Sequence, residues 1–351
     1  MQGIAAARTQ ETHRLKLTVA YDGSDFAGFQ WQAGKIRTVQ GELEKAVSRV
    51  LMPASRCVGA SRTDGGAHAL GQVVHLDVHG SRESLQPESL QLYLNGVLPP
   101  DVKVQALELA PEGFDAHFSS CGKEYHYLLS CGPPSPGAAR ARWWVHDRWC
   151  EMSRGKPQGM RDIELDVGAM QEAAALLQAS GIHDYSAFMD KKRPSGLGRL
   201  KRKKPHLVEK GIRPERTPDK NLRHLWKLDV LREPDAAWPP LAPGAGGGHV
   251  RIEVAGNGFL YRMVRMLVTA LVEVGHRRLT PAQAASILES GDRGRLPEAA
   301  PPQGLYLMQV LYELPDGVEP LLRGRRGRGG GEEGGGESGG GGGAEDDDGE
   351  E

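Results

Sequence analysis

The chain has 351 residues, 39% of them hydrophobic and 25% charged, which is enough for a substantial core and for two domains. The net charge of −1 is unevenly spread: nine acids and no base follow Gly329, so −1 less −9 leaves +8 on residues 1–328, a moderately basic body compatible with a nucleic-acid partner. A membrane-spanning apolar run of roughly eighteen residues, a secretory apolar core and a Cys-x-x-Cys pair are all absent, so Cys57, Cys121, Cys131 and Cys150 are expected to be reduced thiols in an intracellular compartment.

Residues 1–12 read as a flexible start. Leu15, Leu17, Val19 and Tyr21 then alternate, which predicts a half-buried strand. Thr38 is suited to cap a helix that puts Val39, Leu43, Val47 and Val50 on one face. Strands are expected near residues 57–60 and 73–78, a helix over 87–97 and a strand over 102–109. That order predicts an α/β or α+β sheet domain over residues 13–112. The second half, 113–315, repeats the theme without a sequence repeat. Strands are expected at 123–129, 225–231 and 249–254, and a helix at 166–179. A long amphipathic helix is expected at 258–274. Thr280-Pro281-Ala282-Gln283 opens another helix, with a threonine cap, a first-turn proline and a glutamine for a capping box. Residues 305–312 give the last strand. Segments 133–142, 190–217 and 234–248 read as loops or insertions. From about residue 316 the chain is glycine-rich and acidic, with too little apolar surface to fold.

The stretch Ala60-Ser61-Arg62-Thr63-Asp64-Gly65-Gly66-Ala67-His68-Ala69 puts an arginine and a carboxylate on a glycine-flanked turn. Glycines there let a ligand approach the backbone closely. His75, Asp77 and His79 share one side of the following strand and could ligate a metal. Val74, Leu76 and Val78 occupy the other side, so the three polar residues read instead as the solvated face of an ordinary strand. A lone Asp64-Gly65 resembles half of an aspartic protease dyad, but that enzyme needs two such motifs and no second copy appears. Lys191, Lys192, Arg193, Arg199, Lys201, Arg202, Lys203 and Lys204 form a run without acids. It could neutralise phosphates, serve nuclear targeting or be a solvated loop.

The Arg62-Thr63-Asp64 stretch closely resembles the Arg-Thr-Asp-x-Gly-x-His-Ala signature of the TruA-type tRNA pseudouridine synthases. Further segments resemble that family in the same order: Tyr21-Asp22-Gly23-Ser24-Asp25-Phe26, Thr38-Val39-Gln40-Gly41, Phe114-Asp115-Ala116-His117-Phe118-Ser119, Lys123-Glu124-Tyr125, Gly258-Phe259-Leu260-Tyr261-Arg262-Met263-Val264-Arg265 and Gly304-Leu305-Tyr306-Leu307. The resemblance covers about residues 13–315. Gly66-Ala67 and residues 296–301 depart from its usual pattern.

The resemblance implies two similar ferredoxin-like or RRM-like domains whose sheets join across a central cleft. It implies a homodimer with tRNA spanning both subunits. The activity implied is isomerisation of uridine to pseudouridine in the anticodon stem-loop, at positions 38 to 40, with no metal or other cofactor. Asp64 would be the catalytic carboxylate and Arg265 its cationic partner. Arg62 would assist base extrusion by binding phosphate or filling the vacated space. Tyr125 would stack on the uracil, with Tyr127 in the core. Asp25 and Gln30 would lie near the RNA, and His68 would hold the loop or touch the RNA. Location would be cytoplasmic, with nucleus or organelle as alternatives. The rivals are a catalytically inactive RNA-binding protein on the same fold and a metal hydrolase built on His75.

Overall fold

The computed structural model describes residues 11–130, 143–144, 165–178, 181–190, 221–233, 249–294 and 296–318. The expected loops at 133–142, 191–217 and 234–248, the basic run, Cys131, Cys150, residues 1–10 and the tail from 319 lie outside the described residues.

Strand β1 (Thr12–Tyr21) buries Leu15, Leu17, Val19 and Tyr21 on one side, as the alternation requires. Helix α1 (Val39–Val50) begins where Thr38 accepts a hydrogen bond from the Gly41 N–H at 3.2 Å, and it buries Val39, Leu43, Ala46 and Val47. Two short strands follow, β2 (Met52–Pro53) and β3 (Val58–Gly59), then β4 (His68–His79). Helix α2 (Pro87–Val97) and strand β5 (Val102–Leu109) complete the first half. The second half contains β6 (Gly122–Ser130), β7 (Trp143–Trp144), α3 (Val167–Gln178), β8 (Ile182–Asp184), β9 (Leu222–Glu233) and β10 (His249–Gly256). It closes with α4 (Met263–Gly275), α5 (Pro281–Ser290) and β11 (Leu305–Leu311).

The fold is α+β, built on a mixed sheet ordered β5-β1-β4-β11-β6-β10-β9-β8 among the described residues. All the central pairings are antiparallel except one. β11 runs parallel to β4 through Tyr306–His68 and Leu307–Ala69, and antiparallel to β6 on its other side. The last strand therefore joins the sheet of the first half to that of the second. The Arg62-Thr63-Asp64 turn enters β4 at this junction.

The Thr280 capping box forms in both directions. Thr280 Oγ1 accepts from the Gln283 N–H at 3.2 Å, and Gln283 Oε1 accepts from the Thr280 N–H at 2.9 Å. Helix α4 differs from expectation in two ways. It starts at Met263 rather than 258, because Arg262 adopts a left-handed backbone (φ 55°, ψ 19°) that turns the chain sharply into the helix. It is also buried on every side, since α3 and α5 pack against the faces the sheet leaves open.

A second correction concerns β4. His75 is buried rather than solvated, because the segment between β5 and β6 folds back over it, while Asp77 and His79 on the same side stay partly exposed. The Ala116 N–H donates to His75 Nδ1 at 2.9 Å, and Phe114 packs edge-on to the ring. Arg14 donates twice to Asp77, at 2.7 and 3.0 Å. Burial lowers the His75 pKa, favouring the neutral ring that can accept the Ala116 bond.

Candidate active site

The Arg62-Thr63-Asp64 turn is clamped by backbone bonds to the loop after β1. The Phe29 N–H donates to the Thr63 carbonyl at 3.1 Å, and the Gly66 N–H to the Phe26 carbonyl at 3.2 Å. Gly28 and Asp64 form an isolated antiparallel bridge. The glycines are required at two points. Gly66 sits at φ 81°, and a Cβ on Gly23 would overlap the Ala67 carbonyl. Tyr21 and Thr63 share a buried hydroxyl–hydroxyl bond of 2.7 Å. His68 lies beneath the turn at 4% exposure. Its Nδ1 accepts from the Gly23 N–H at 3.2 Å, Nε2 donates to the Gln303 carbonyl at 3.2 Å, and the ring stacks on Tyr306.

Above the turn opens a cleft of about 720 Å³. Asp64 comes to it from the turn, Tyr125 from β6, and Arg262 and Arg265 from the start of α4. Arg265, 6% exposed, donates from Nη1 to Asp64 Oδ2 at 2.5 Å and from Nε to the Ala300 carbonyl at 2.5 Å. These are charge-assisted geometries that fix the guanidinium against the carboxylate. Tyr125 shares a 2.7 Å bond with Ser61 and meets Phe259 edge-on at 5.2 Å. Burial pushes its phenol up to about 12, with the Asp64 charge adding to this and the Ser61 bond opposing it. The phenol is therefore protonated at neutral pH and able to donate.

Arg262 adds a second cation. Its Nε lies 3.6 Å from Asp64 Oδ2, and its Nη1 donates to Asp190 at 3.0 Å. Asp190 is also held by Arg293 at 2.9 Å and through its own N–H to the Tyr261 carbonyl. Burial opposes the Arg262 charge, but Asp190 and Asp64 outweigh it and its pKa is raised. A left-handed non-glycine residue at a cleft is backbone strain that only firm surroundings maintain.

Asp64, Arg62, Tyr125, Arg265 and Gln30 thus line one cleft, although residues 30 and 265 stand far apart in the chain. Arg62 is exposed and makes no hydrogen bond or ion pair among the described residues. Asp25 and His68 do not line the cleft: Asp25 sits exposed on its loop near Arg37, and His68 supports the turn from below. Tyr127, on the same strand face as Tyr125, is fully buried and donates to the Pro301 carbonyl. Sequence reasoning missed Arg262, Ser61 and Asp190. Arg262 and Ser61 lie inside the motif segments, but nothing local marks them, because their partners are distant in sequence.

One carboxylate–imidazole group lies away from the cleft. Glu124, His126 and Glu253 come within ligand distance of one another. The Lys227 ammonium already bridges both carboxylates, at 3.1 and 2.5 Å, and Arg251 pairs with Glu253 at 2.8 Å. The site is internally neutralised. Glu124 is held down at about 2, chiefly by its bond from His126 and then by Gln309 and Lys227.

The family model described as tRNA pseudouridine synthase matches residues 17–119 and 175–313. The chain belongs to this family. It is an isomerase family, and the match includes every cleft residue named above except Tyr125, which falls between the two matched stretches. Curated relatives named tRNA pseudouridine synthase A share extended similarity. The protein of Brevibacillus brevis is 33% identical over 299 residues, covering 85% of this chain and 99% of the relative. That of Bacillus subtilis is 33% identical over 302 residues, covering 86% and 99%. That of Frankia casuarinae is 36% identical over 300 residues, covering 85% and 89%. No helix among the described residues of this synthase is long and apolar enough to cross a membrane.

Proposed function

We propose that this synthase converts uridine to pseudouridine in the anticodon stem-loop of tRNA, at positions 38 to 40, with Asp64 as the catalytic carboxylate. The observation that carries this reading is the Asp64–Arg265 pair. Two residues 201 apart in sequence meet at 2.5 Å in a cleft that also presents the Tyr125 phenol. In the reaction the N1–C1′ bond breaks, the uracil turns and a C5–C1′ bond forms. N1 gains the proton that C5 loses, so atoms balance without a redox partner. Whether Asp64 attacks the sugar or removes a sugar proton, it must enter as the anion, and Arg265 pairs that anion. A base in folded RNA must first leave its stack, at a cost on the order of a few kcal/mol. Arg62, exposed at the cleft, is suited to hold phosphate or fill the gap, and Tyr125 to receive the uracil. Gln30 would contact RNA at the rim and Asp25 on its exposed loop, while His68 would keep the turn in register.

The proposed working form is a homodimer that tRNA spans, with residues 13–112 and 113–315 acting as the two halves of each cleft. The proposed location is the cytoplasm, in keeping with the free thiols of Cys57 and Cys121. An inactive RNA-binding protein is disfavoured because Asp64, Arg62, Arg265 and Tyr125 converge on one cleft. The test is to map pseudouridine in tRNA after incubation with the parent and with Asp64→Asn. Product with the parent and none with the variant, tRNA binding being retained, supports the reading. Normal turnover by Asp64→Asn removes Asp64 from the mechanism.

A further inference from the structure

Phe118 is the most exposed large apolar side chain among the described residues, at 78%. Single exposed apolar residues are ordinary on protein surfaces. This one differs in how it is held and where it stands. Its turn is fixed on both sides of the ring. Asp115 Oδ1 accepts from the N–H groups of His117 and Phe118, both at 2.8 Å, and the Ser119 hydroxyl accepts from the Asp115 N–H at 3.0 Å. Ala116 is anchored through its N–H to His75 and through its carbonyl to the Tyr312 hydroxyl. His117 Nδ1 donates to the Ala60 carbonyl, one residue before Ser61, and its ring braces Phe118 edge-on at 5.1 Å. The turn therefore buries Phe114 and Ala116, ties itself to the catalytic segment and sends one flat apolar ring into solvent. That ring lines the same cleft as Arg62, Tyr125 and Asp64.

We propose that Phe118 is a stacking platform for an unpaired base next to the target uridine. A flat apolar face kept wet in the free protein suits a nucleobase, which has an apolar face of the same kind whatever the sequence. Tyr125 is 7% exposed and set deeper, against Ser61 and Phe259, so it suits the extruded uracil, whereas Phe118 at the rim suits its neighbour. The inference rests on tRNA as the occupant of this cleft.

The test compares tRNA affinity for Phe118→Ala, Phe118→Leu and Phe118→Trp with the parent, at several salt concentrations. Loss of one base–aromatic stack gives roughly a 5- to 150-fold rise in Kd. We expect that rise for both Ala and Leu, since leucine is apolar but not flat. The Trp variant should bind within a few-fold of the parent, and its emission should be quenched by tRNA. The salt slope should match the parent in all three, because the phosphates keep their protein partners. The proposal is overturned if Leu binds as tightly as Phe, or if the Ala variant loses salt slope. Melting curves on each variant separate these outcomes from misfolding. Failure here, with Asp64→Asn inactive, leaves the proposed function standing. An active Asp64→Asn with weakened Phe118→Ala binding does the reverse.

Discussion

Removing either member of the Asp64–Arg265 pair should destabilise the protein unequally, in an order set by what each leaves behind. Asp64→Asn keeps the side-chain shape and an oxygen that can still accept from Arg265. Arg265 also keeps its bond to the Ala300 carbonyl. Only the charge attraction is removed. Breaking a buried pair costs about 3–5 kcal/mol when a charge is stranded. The charge left behind, on the Arg265 side chain, is only 8% exposed, but its retained bonds bring the expected cost to ~1–2 kcal/mol. Arg265→Met strands the carboxylate, but water reaches it and Arg262 stands 3.6 Å away. It also orphans the carbonyl of Ala300, a residue only 1% exposed, which adds ~1–3 kcal/mol. The expected total for Arg265→Met is therefore ~3–4 kcal/mol. The double variant should fall near ~2–3 kcal/mol, because the carbonyl remains orphaned while no charge is stranded. Urea unfolding of the four proteins gives these values, and single-turnover pseudouridine formation gives the chemistry. Asp64→Asn should yield no product, and Arg265→Met should lose roughly 10²- to 10³-fold, comparable to removing one preorganised donor. If Arg265→Met proves no less stable than Asp64→Asn, the pair is not arranged as described.

Tyr125→Phe should leave the Ser61 hydroxyl buried without its partner and cost ~1–3 kcal/mol. Adding Ser61→Ala should restore most of the stability in thermal melts while turnover stays low, and recovery of turnover would confine Tyr125 to packing. Gly23→Ala should destabilise by ~1–3 kcal/mol and shift the Asp64 turn, since its Cβ would press on backbone that cannot yield; unchanged melting and turnover would contradict the tight approach. Burial, then the Arg278 charge, push the His276 imidazole down to about 4 from the ordinary 6.5. Its folded pKa is depressed, so its contribution is intact above pH 6.5 and disappears as pH falls through about 4. The gap of 6.5 less 4 corresponds to about 3 kcal/mol at most, and solvent access reduces this to ~1–2 kcal/mol. His276→Gln should flatten that part of the stability–pH curve. Replacing Lys201, Arg202, Lys203 and Lys204 with alanine should lower the slope of log affinity against log salt by roughly 0.7 to 0.9 for each phosphate no longer neutralised; an unchanged slope would assign the run to targeting or to a solvated loop.

Where a residue's fate depends on its near neighbours, the sequence was sufficient. Alternation placed β1, the Thr38 cap placed α1, and Thr280 with Gln283 placed α5, because each signal and its partner lie within one turn or one strand. The Arg62-Thr63-Asp64 motif marked the turn that lines the cleft for the same reason: its residues are contiguous. The rest was decided by meetings between segments far apart in the chain. The left-handed Arg262, its bond to Asp190, the Ser61–Tyr125 bond and the Asp64–Arg265 pair span 64 to 201 residues or depend on ones that do. The His75 side of β4 has the alternation of a solvated face, yet His75 is covered by a segment some forty residues later, with the Ala116 N–H supplying a partner that makes burial tolerable. Helix α4 likewise carries Arg265 and Thr269 into the interior, where distant residues, Asp64, Glu298 and Ala300, complete their bonding. Periodicity reports which faces of an element differ. Which of those faces meets water, and which polar group finds a partner when it does not, is fixed only when the halves close along the β4–β11 pairing.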